Sequence, residues 1–228
     1  LSVVRILVED TALVPGDLAL PSGEAHHLRV RRVSLGQEVV VLDGRGHEAR
    51  GVLVAEGRVR IEEVREALER EPALRLTLYV GLLKGEKMDL VVQKATELGV
   101  AAVVPLVTRR CVPRPRPSRL ERWRAVAREA LKQCGGTLLP RIEAPLELGQ
   151  ISLEGEGWVL WEGEREAPLP RGGGGGVGAL AVGPEGGWEK EEVELLVSRG
   201  FQPVTLGPRT LRAETAAIVG AAFMLWGR

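Results

Sequence analysis

The spacing of apolar residues changes character once along this 228-residue chain, near residue 70, and that change limits what it can fold into. Before it, "VVRILVE" (3–9), "QEVVVLDG" (37–44), "EARGVLVAEG" (48–57) and "RVRIEEV" (58–64) are short β-branched stretches divided by Gly and Asp turns, the pattern of a small barrel or sandwich. Between the first two strands, "SGEAHHLRVRRV" (22–33) offers Ser22 as a helix N-cap and carries Arg29, Arg31 and Arg32. After the change, strand-length apolar runs alternate with amphipathic helices. "LRLTLYVGLL" (74–83) reads as a buried strand, and "EKMDLVVQKATELG" (86–99) places Met88, Val91, Val92, Ala95 and Leu98 on one helical face before Gly99 stops it. "VAAVVPLV" (100–107) is the next strand, and Ser118-Arg-Leu-Glu121 predicts a capping box opening a helix to about Gln133. "GWVLWEG" (157–163), "VGALAVGPEGG" (177–187), a helix over 189–200, "QPVTLGPRT" (202–210) and a terminal helix over 213–226 complete the alternation. It implies an α/β domain with a mostly parallel sheet covered by helices on both faces. The charged segment 66–72 ends in proline and marks the boundary, giving domains of 1–68 and 73–228.

Hydrophobic residues make up 44% of the chain, enough to bury a core, so disorder is excluded as the general state. Lys+Arg and Asp+Glu balance at 31 each, so a nucleic-acid role has to come from local clustering. Such clustering exists: residues 105–141 hold nine Arg and Lys132 against Glu121 and Glu129, whereas residues 143–166 hold seven Glu against Arg165. The proline-arginine stretch "RRCVPRPRPS" (109–118) reads as extended, because a residue before proline avoids the helical region. The five-glycine run 172–176 reads as a flexible loop, since no Lys-Ser or Lys-Thr is near it. Cys111 and Cys134 have no CxxC spacing and all three histidines lie in the first quarter, so no metal site and no disulfide framework are expected, and a reducing cytoplasm is the natural setting. No apolar run approaches the roughly 18 residues of a membrane span and no signal pattern opens the chain, so a soluble, unsecreted protein without membrane contact is expected.

Three strand ends in the second domain stop in loops of unusual content: 160–163, 182–187 and 206–214. In parallel α/β sheets ligands bind beyond the carboxyl ends of the strands, so three such loops could make one pocket. "GLLKGEK" (81–87) lacks the spacing and hydroxyl of a Walker loop, and no G-x-G-x-x-G follows a strand, which disfavours a nucleoside triphosphate or dinucleotide.

The stretches "KGEKMDLVVQKATELGVAAVVPLVTRRCV" (84–112), "RWRAVAREALKQC" (122–134), "LAVGPEGGWEKEE" (180–192) and "LGPRTLRAETAAI" (206–218) resemble the RsmE family of ribosomal RNA methyltransferases, within the SPOUT superfamily. "HHLRVRRVSLGQEVVVLDGRGHEARGVL" (26–53) resembles that family's PUA-like, RNA-binding β-barrel. Two positions depart from it: Arg31 replaces a more usual apolar residue, and Cys134-Gly-Gly-Thr137 replaces a stretch that usually carries Ser and Arg. The resemblance implies a trefoil knot at the carboxyl end of the sheet, a homodimer, and S-adenosylmethionine as cofactor. It also implies methylation at N3 of a uridine in small-subunit (16S) ribosomal RNA, with that RNA or the small ribosomal subunit as partner. Carried over residue by residue, the cofactor contacts are Trp161, Glu162 and Gly163; Val182, Gly183, Pro184 and Gly187; and Leu206, Gly207, Leu211, Arg212 and Ala213. Glycine lets backbone amides and carbonyls approach an adenine edge, and Leu206 and Leu211 could sandwich its ring.

Uridine N3 is a poor nucleophile until its proton leaves, after which charge spreads onto the flanking carbonyl oxygens. A guanidinium beside those oxygens stabilises that charge, with Arg212 the first candidate and Arg209 the second. Glu185 and Glu214 are candidates to accept the proton. Arg5, Arg29, Arg32, Arg109 and Arg110 are candidate phosphate contacts. Two other readings remain: a related methyltransferase acting on another RNA atom, such as a ribose 2′-oxygen, and a non-catalytic RNA-binding assembly factor.

Overall fold

The computed structural model describes residues 3–9, 11–112, 114, 116–171 and 175–227. Gly172, Gly173 and Gly174 of the glycine run, and Pro113 and Pro115 of the proline-arginine stretch, fall outside these. The chain divides into two units, one running up to Glu71 and including Leu131–Leu139, the other comprising Pro72–Ala130 and the chain from Pro140 on.

In the first unit, β1 (Val4–Leu7), β2 (Gly16–Ala19), α1 (Ser22–Val30), β3 (Glu38–Leu42), β4 (His47–Ala55) and β5 (Arg58–Glu66) follow in order. The strands form one sheet, β1-β3-β4-β5-β2, antiparallel apart from the β1–β3 pair. Strand alternation sends Ile6, Val39, Val41, Val59 and Ile61 to one face, where Leu28 of α1 joins them. Leu7 and Leu42 point the other way, onto Leu131, with Val40 and Leu139 beside them. Both faces of β3 are therefore covered, which is why its sequence is a continuous apolar run.

Residues 131–139, expected with the second domain, close this second face. Thr137 is fully buried, its one hydroxyl proton shared between the Ala67 carbonyl, 3.1 Å from Oγ1, and Glu71 Oε1, 3.0 Å from it. The unusual Cys134–Thr137 stretch thus has a structural use. Two helix starts also differ from expectation. Pro21 stands at the cap of α1 with no side-chain bond, making Ser22 the first helical residue. The helix expected from Ser118 opens at Pro117, a residue preorganised for a first turn, so Ser118 lies inside it and is not its cap. The short strand β2 carries too few residues to show a pattern and was not foreseen.

In the second unit, β6 (Leu74–Gly81), α2 (Lys87–Leu98), β7 (Ala102–Val107), α3 (Pro117–Cys134, its end counted with the first unit), β8 (Arg141–Ile142), β9 (Leu146–Glu147), β10 (Glu156–Leu160), β11 (Gly176–Val182), α4 (Lys190–Ser198), β12 (Phe201–Val204) and α5 (Ala213–Trp226) build a parallel sheet. Its order is β12-β10-β11-β6-β7-β8, with β9 also on β7. Tyr79, Val159, Ala179 and Ala181 face α4 through Val193 and Leu196. Leu160 and Leu180 face α5, where a Cβ on Gly220 would come within 2.8 Å of Leu180 and 3.2 Å of Leu160. Helices therefore cover both faces, as the alternation implied. Met88, Val91, Val92 and Ala95 of α2 are buried, and Gly99 ends that helix at φ 82°. No helix among the described residues is long and apolar enough to cross a membrane.

Candidate active site

β10, β11 and β12 are neighbours or next neighbours, so the loops leaving their carboxyl ends meet. They enclose a cavity of about 730 Å³, of a size that suits a small ligand. Of the residues expected to hold the cofactor, all but Gly163 line it. At Gly163 a Cβ would come within 2.4 Å of the Trp161 indole, so this glycine serves the fold of the loop.

The first and third loops are fastened to each other. The amide of Trp161 donates to the Val204 carbonyl at 3.2 Å, and Leu169 and Thr205 exchange further bonds with Thr205 and Ala167, at 2.9 and 2.8 Å. Within the first loop, Glu164 Oε1 accepts from the amides of Arg165, Glu166 and Ala167 at 2.8, 2.8 and 3.0 Å. Bonding from the Glu166 amide, then from Ala167, holds the Glu164 carboxyl below the usual glutamate range. In the third loop, the Thr205 hydroxyl takes the Gly207 amide at 3.1 Å and gives to the Gly207 carbonyl at 3.0 Å.

The "GPEGG" turn has reasons of its own for its glycines. The buried Trp188 ring lies against Gly183, where a Cβ would stand 3.2 Å from the indole nitrogen, and Gly187 has φ 70°. At the end of β6, a Cβ on Gly81 would sit 2.5 Å from the Pro184 nitrogen. The turn is thus close-packed from behind while its other side lines the cavity.

Arg165, Arg209 and Arg212 line the cavity, are exposed, and among the described residues make no side-chain hydrogen bond or ion pair. Arg212 forms no bridge to Glu214, two residues on, among the described residues. Arg212 is instead the N-cap of α5, and Glu214 pairs with Lys87, whose Nζ is 3.5 Å from Oε2. Glu214 is buried and does not line the cavity. Glu185 does line it, and its Oε1 accepts from the Lys84 amide at 2.9 Å and Lys87 Nζ at 3.2 Å. Burial pushes the Glu185 carboxyl up, but these bonds and the charge of Lys87 outweigh it, so the group lies below its usual range. That weakens it as a proton acceptor.

Arg109 and Arg110 are not free. Arg109 Nη1 donates to Glu189 at 2.9 Å, and Arg110 Nη1 to the Gly186 carbonyl at 3.0 Å, bracing the turn from outside. In the first unit, Arg5 is half-buried with its guanidinium against Gly135, Arg29 bonds His26 at 2.8 Å and pairs with Glu56 at 3.5 Å, and Arg32 is exposed at φ 54°. Among the described residues no group of three or more His, Cys, Asp or Glu could hold a metal ion.

Lys87, Arg165, Trp188 and Gly81 were not foreseen. Gly81 ends a strand at the same edge of the sheet, so the rule that directed attention to the other three strand ends applied to it as well. Lys87 gave no local signal, because its partners lie far along the chain.

Comparison with known proteins bears on this geometry. An RNA methyltransferase domain family matches residues 69–225, and an RNA methyltransferase PUA domain family matches residues 20–63. The chain is 35% identical to the ribosomal RNA small subunit methyltransferase E of Synechocystis, over 96% of this chain and 76% of that protein. It is 31% identical to the protein of the same name from Aquifex aeolicus, over 88% and 90%. Among solved structures, the ribosomal RNA small subunit methyltransferase E of Neisseria gonorrhoeae bound to S-adenosylmethionine superposes with a TM-score of 0.87 at 29% identity, covering 97% of this chain and 96% of that one. A methyltransferase of Legionella pneumophila in complex with the same cofactor gives 0.87 at 31%, with the same coverage.

Proposed function

Since the chain belongs to the ribosomal RNA small subunit methyltransferase E family and is, with it, an S-adenosylmethionine-dependent enzyme of small-subunit rRNA, we propose that it methylates ring N3 of a uridine, using the cavity at the ends of β10, β11 and β12. The observation that carries this reading is one cavity lined by all three loops and by Arg212, whose guanidinium makes no ion pair among the described residues.

The residues present fit the cofactor. The backbone of residues 183–187 offers amides and carbonyls to an adenine edge, Leu206 and Leu211 offer apolar surface to its ring, and the volume suffices. When bound, S-adenosylmethionine supplies a methyl group already activated by its sulfonium, so the protein has to place the acceptor and stabilise its charge. The N3 proton passes to water, and Arg212, at the N-cap of α5, stabilises the negative charge left on the carbonyl oxygens flanking the deprotonated nitrogen, with Arg209 the second candidate for that role. Glu185 is bound to Lys84 and Lys87 and serves the shape of the wall; Glu214, off the cavity surface, supports it. Backbone bonds tie the first loop to the third and the Trp188 indole ties the end of the second to β10, which favours alignment of acceptor and donor.

The path of the chain supports the knot: β12 pairs with β10 at the sheet edge, whereas the helix that follows it lies on β6 and β11. A chain that returns from the edge strand over β10 to the middle of the sheet follows the path that such a knot requires. A homodimer is supported by α5, which leaves Val219 and Trp226 exposed and Ile218, Ala222 and Phe223 half-buried along one face. RNA contacts are assigned to Arg29 and Arg32 in the first unit and to Arg165 and Arg209 at the cavity, with the cytoplasm as the place of action.

The test is transfer of labelled methyl from S-adenosylmethionine to small ribosomal subunits lacking the modification, followed by mass spectrometry of the nucleosides. 3-Methyluridine is the expected product. A 2′-O-methylated nucleoside would replace the N3 reading with the ribose one, and no transfer despite tight RNA binding would favour an assembly factor.

A further inference from the structure

One ammonium joins three separate segments around the cavity. Lys87 Nζ, in the first turn of α2, lies 3.2 Å from Glu185 Oε1 in the loop after β11 and 3.5 Å from Glu214 Oε2 in the first turn of α5. Lys87 itself lines the cavity. Glu214 is 9% exposed, and its buried Oε2 makes no hydrogen bond among the described residues, so the ion pair with Lys87 is what compensates it. No other ion pair to Glu214 occurs among the described residues, so Lys87 is its countercharge. The neighbouring charges of α2 are engaged elsewhere: Asp89 and Glu86 pair with Arg122, and Lys94 with Glu97. None of them is placed to take over.

We propose that Lys87 is a positioning residue of the methyl-donor pocket, holding the "GPEGG" turn and the head of α5 in register by compensating Glu214 and Glu185. The proposal rests on the reading of the cavity as the donor site. Its physical basis is an asymmetry: Glu214 is buried while Lys87 is half-buried at the cavity, so deleting the lysine alone strands the buried charge, whereas deleting both removes the cost along with the bond. With Lys87 replaced by an apolar side chain, Glu214 is left buried without that countercharge, which draws the head of α5 toward water at the cavity. Arg212 is the N-cap of that helix and Ala213 its first residue, so the cavity wall moves with it.

The test compares Lys87→Met, Lys87→Arg and the double variant Lys87→Met/Glu214→Gln. Donor affinity is read by calorimetry, melting temperature by circular dichroism, and kcat and KM with small subunits as acceptor. Lys87→Met is expected to weaken donor binding by about tenfold or more, raising KM for the donor, and to lower kcat as well, because Arg212 moves with the head of α5. Lys87→Arg retains most of the affinity, and the double variant binds more tightly than Lys87→Met alone. The double variant sets this apart from a lysine that merely contacts ligand, since removing Glu214 would not then restore binding. Lys87→Met with wild-type affinity, or a double variant no better than the single, overturns the proposal and leaves the donor site standing. Wild-type protein that does not bind S-adenosylmethionine overturns both. Should Lys87→Met fail to fold, a folded, donor-binding double variant supports the proposal and an unfolded one overturns it.

Discussion

The indole Nε1 of Trp188 donates to the Leu160 carbonyl at 3.0 Å, joining the residue after the "GPEGG" turn to the last residue of β10. Both residues are buried, and the same indole lies against Gly183. Two of the three cavity loops therefore take their spacing from one side chain. Trp188→Phe keeps an aromatic ring but leaves a buried carbonyl without a donor, which costs about 1–3 kcal/mol. Urea unfolding should show that loss, and calorimetry a weaker S-adenosylmethionine complex.

Gly81 and Gly187 touch the same turn in different ways, and their alanine variants should differ accordingly. A Cβ on Gly81 meets the backbone nitrogen of Pro184 at 2.5 Å, so the turn itself has to shift into the cavity. A Cβ on Gly187 meets a Glu162 carboxylate oxygen at 2.5 Å, the far end of an exposed side chain that can swing away. What remains at Gly187 is the strain of φ 70°, about 1–2 kcal/mol for a residue with a Cβ. Gly81→Ala should lose most donor binding, whereas Gly187→Ala should lower the melting temperature and keep a measurable affinity. The reverse order would place the donor away from Pro184.

The strands and helices of the second domain were legible because their periods are clean; the terminal helix spans Ala213–Trp226, as its sequence indicates. The cavity loops were legible as strand ends followed by glycine and proline, and their identity came from the resemblance carried by "GPEGG" and "LGPRTLRAETA". Pairings between distant residues were not. Nothing local links Lys87 to Glu214, or Thr137 to Glu71, and Arg109 and Arg110 looked like free cations until the fold brought Glu189 and the Gly186 carbonyl to them. Strands of two to four residues, such as β2, β8 and β9, form because a neighbour is present, and carry no period to detect.

Arg212 separates binding from chemistry. It is exposed at the cavity and makes no ion pair among the described residues, so its removal leaves no stranded partner. Arg212→Ala should therefore keep the fold and hold S-adenosylmethionine within a few-fold of the wild-type affinity. Methyl transfer should fall by about 10²–10³-fold, the usual effect of losing one donor to a developing oxyanion. Single-turnover transfer and calorimetry on the same preparation decide it, and a large loss of donor affinity would make Arg212 a binding residue instead.

Acid stability of the first unit should depend on Glu48. This buried carboxylate of β4 pairs with Arg65 and Arg70, and Arg70 also donates to the Gly135 carbonyl at 3.0 Å. Burial pushes its carboxyl up, but the hydrogen bonds of Arg70, then Arg65, and their charges outweigh that and hold it below the usual range. A carboxylate depressed in the folded state contributes stability above its unfolded pKa of about 4.3 and loses it as the pH falls through the folded value. Glu48→Gln should destabilise the protein at neutral pH by about 1–3 kcal/mol, less than a fully enclosed pair would, because both arginines reach solvent. Urea unfolding of wild type and Glu48→Gln at neutral pH and below about pH 4 should show the difference between them shrinking on acidification. A gap that stays constant would mean that Glu48 contributes through packing and not through its charge.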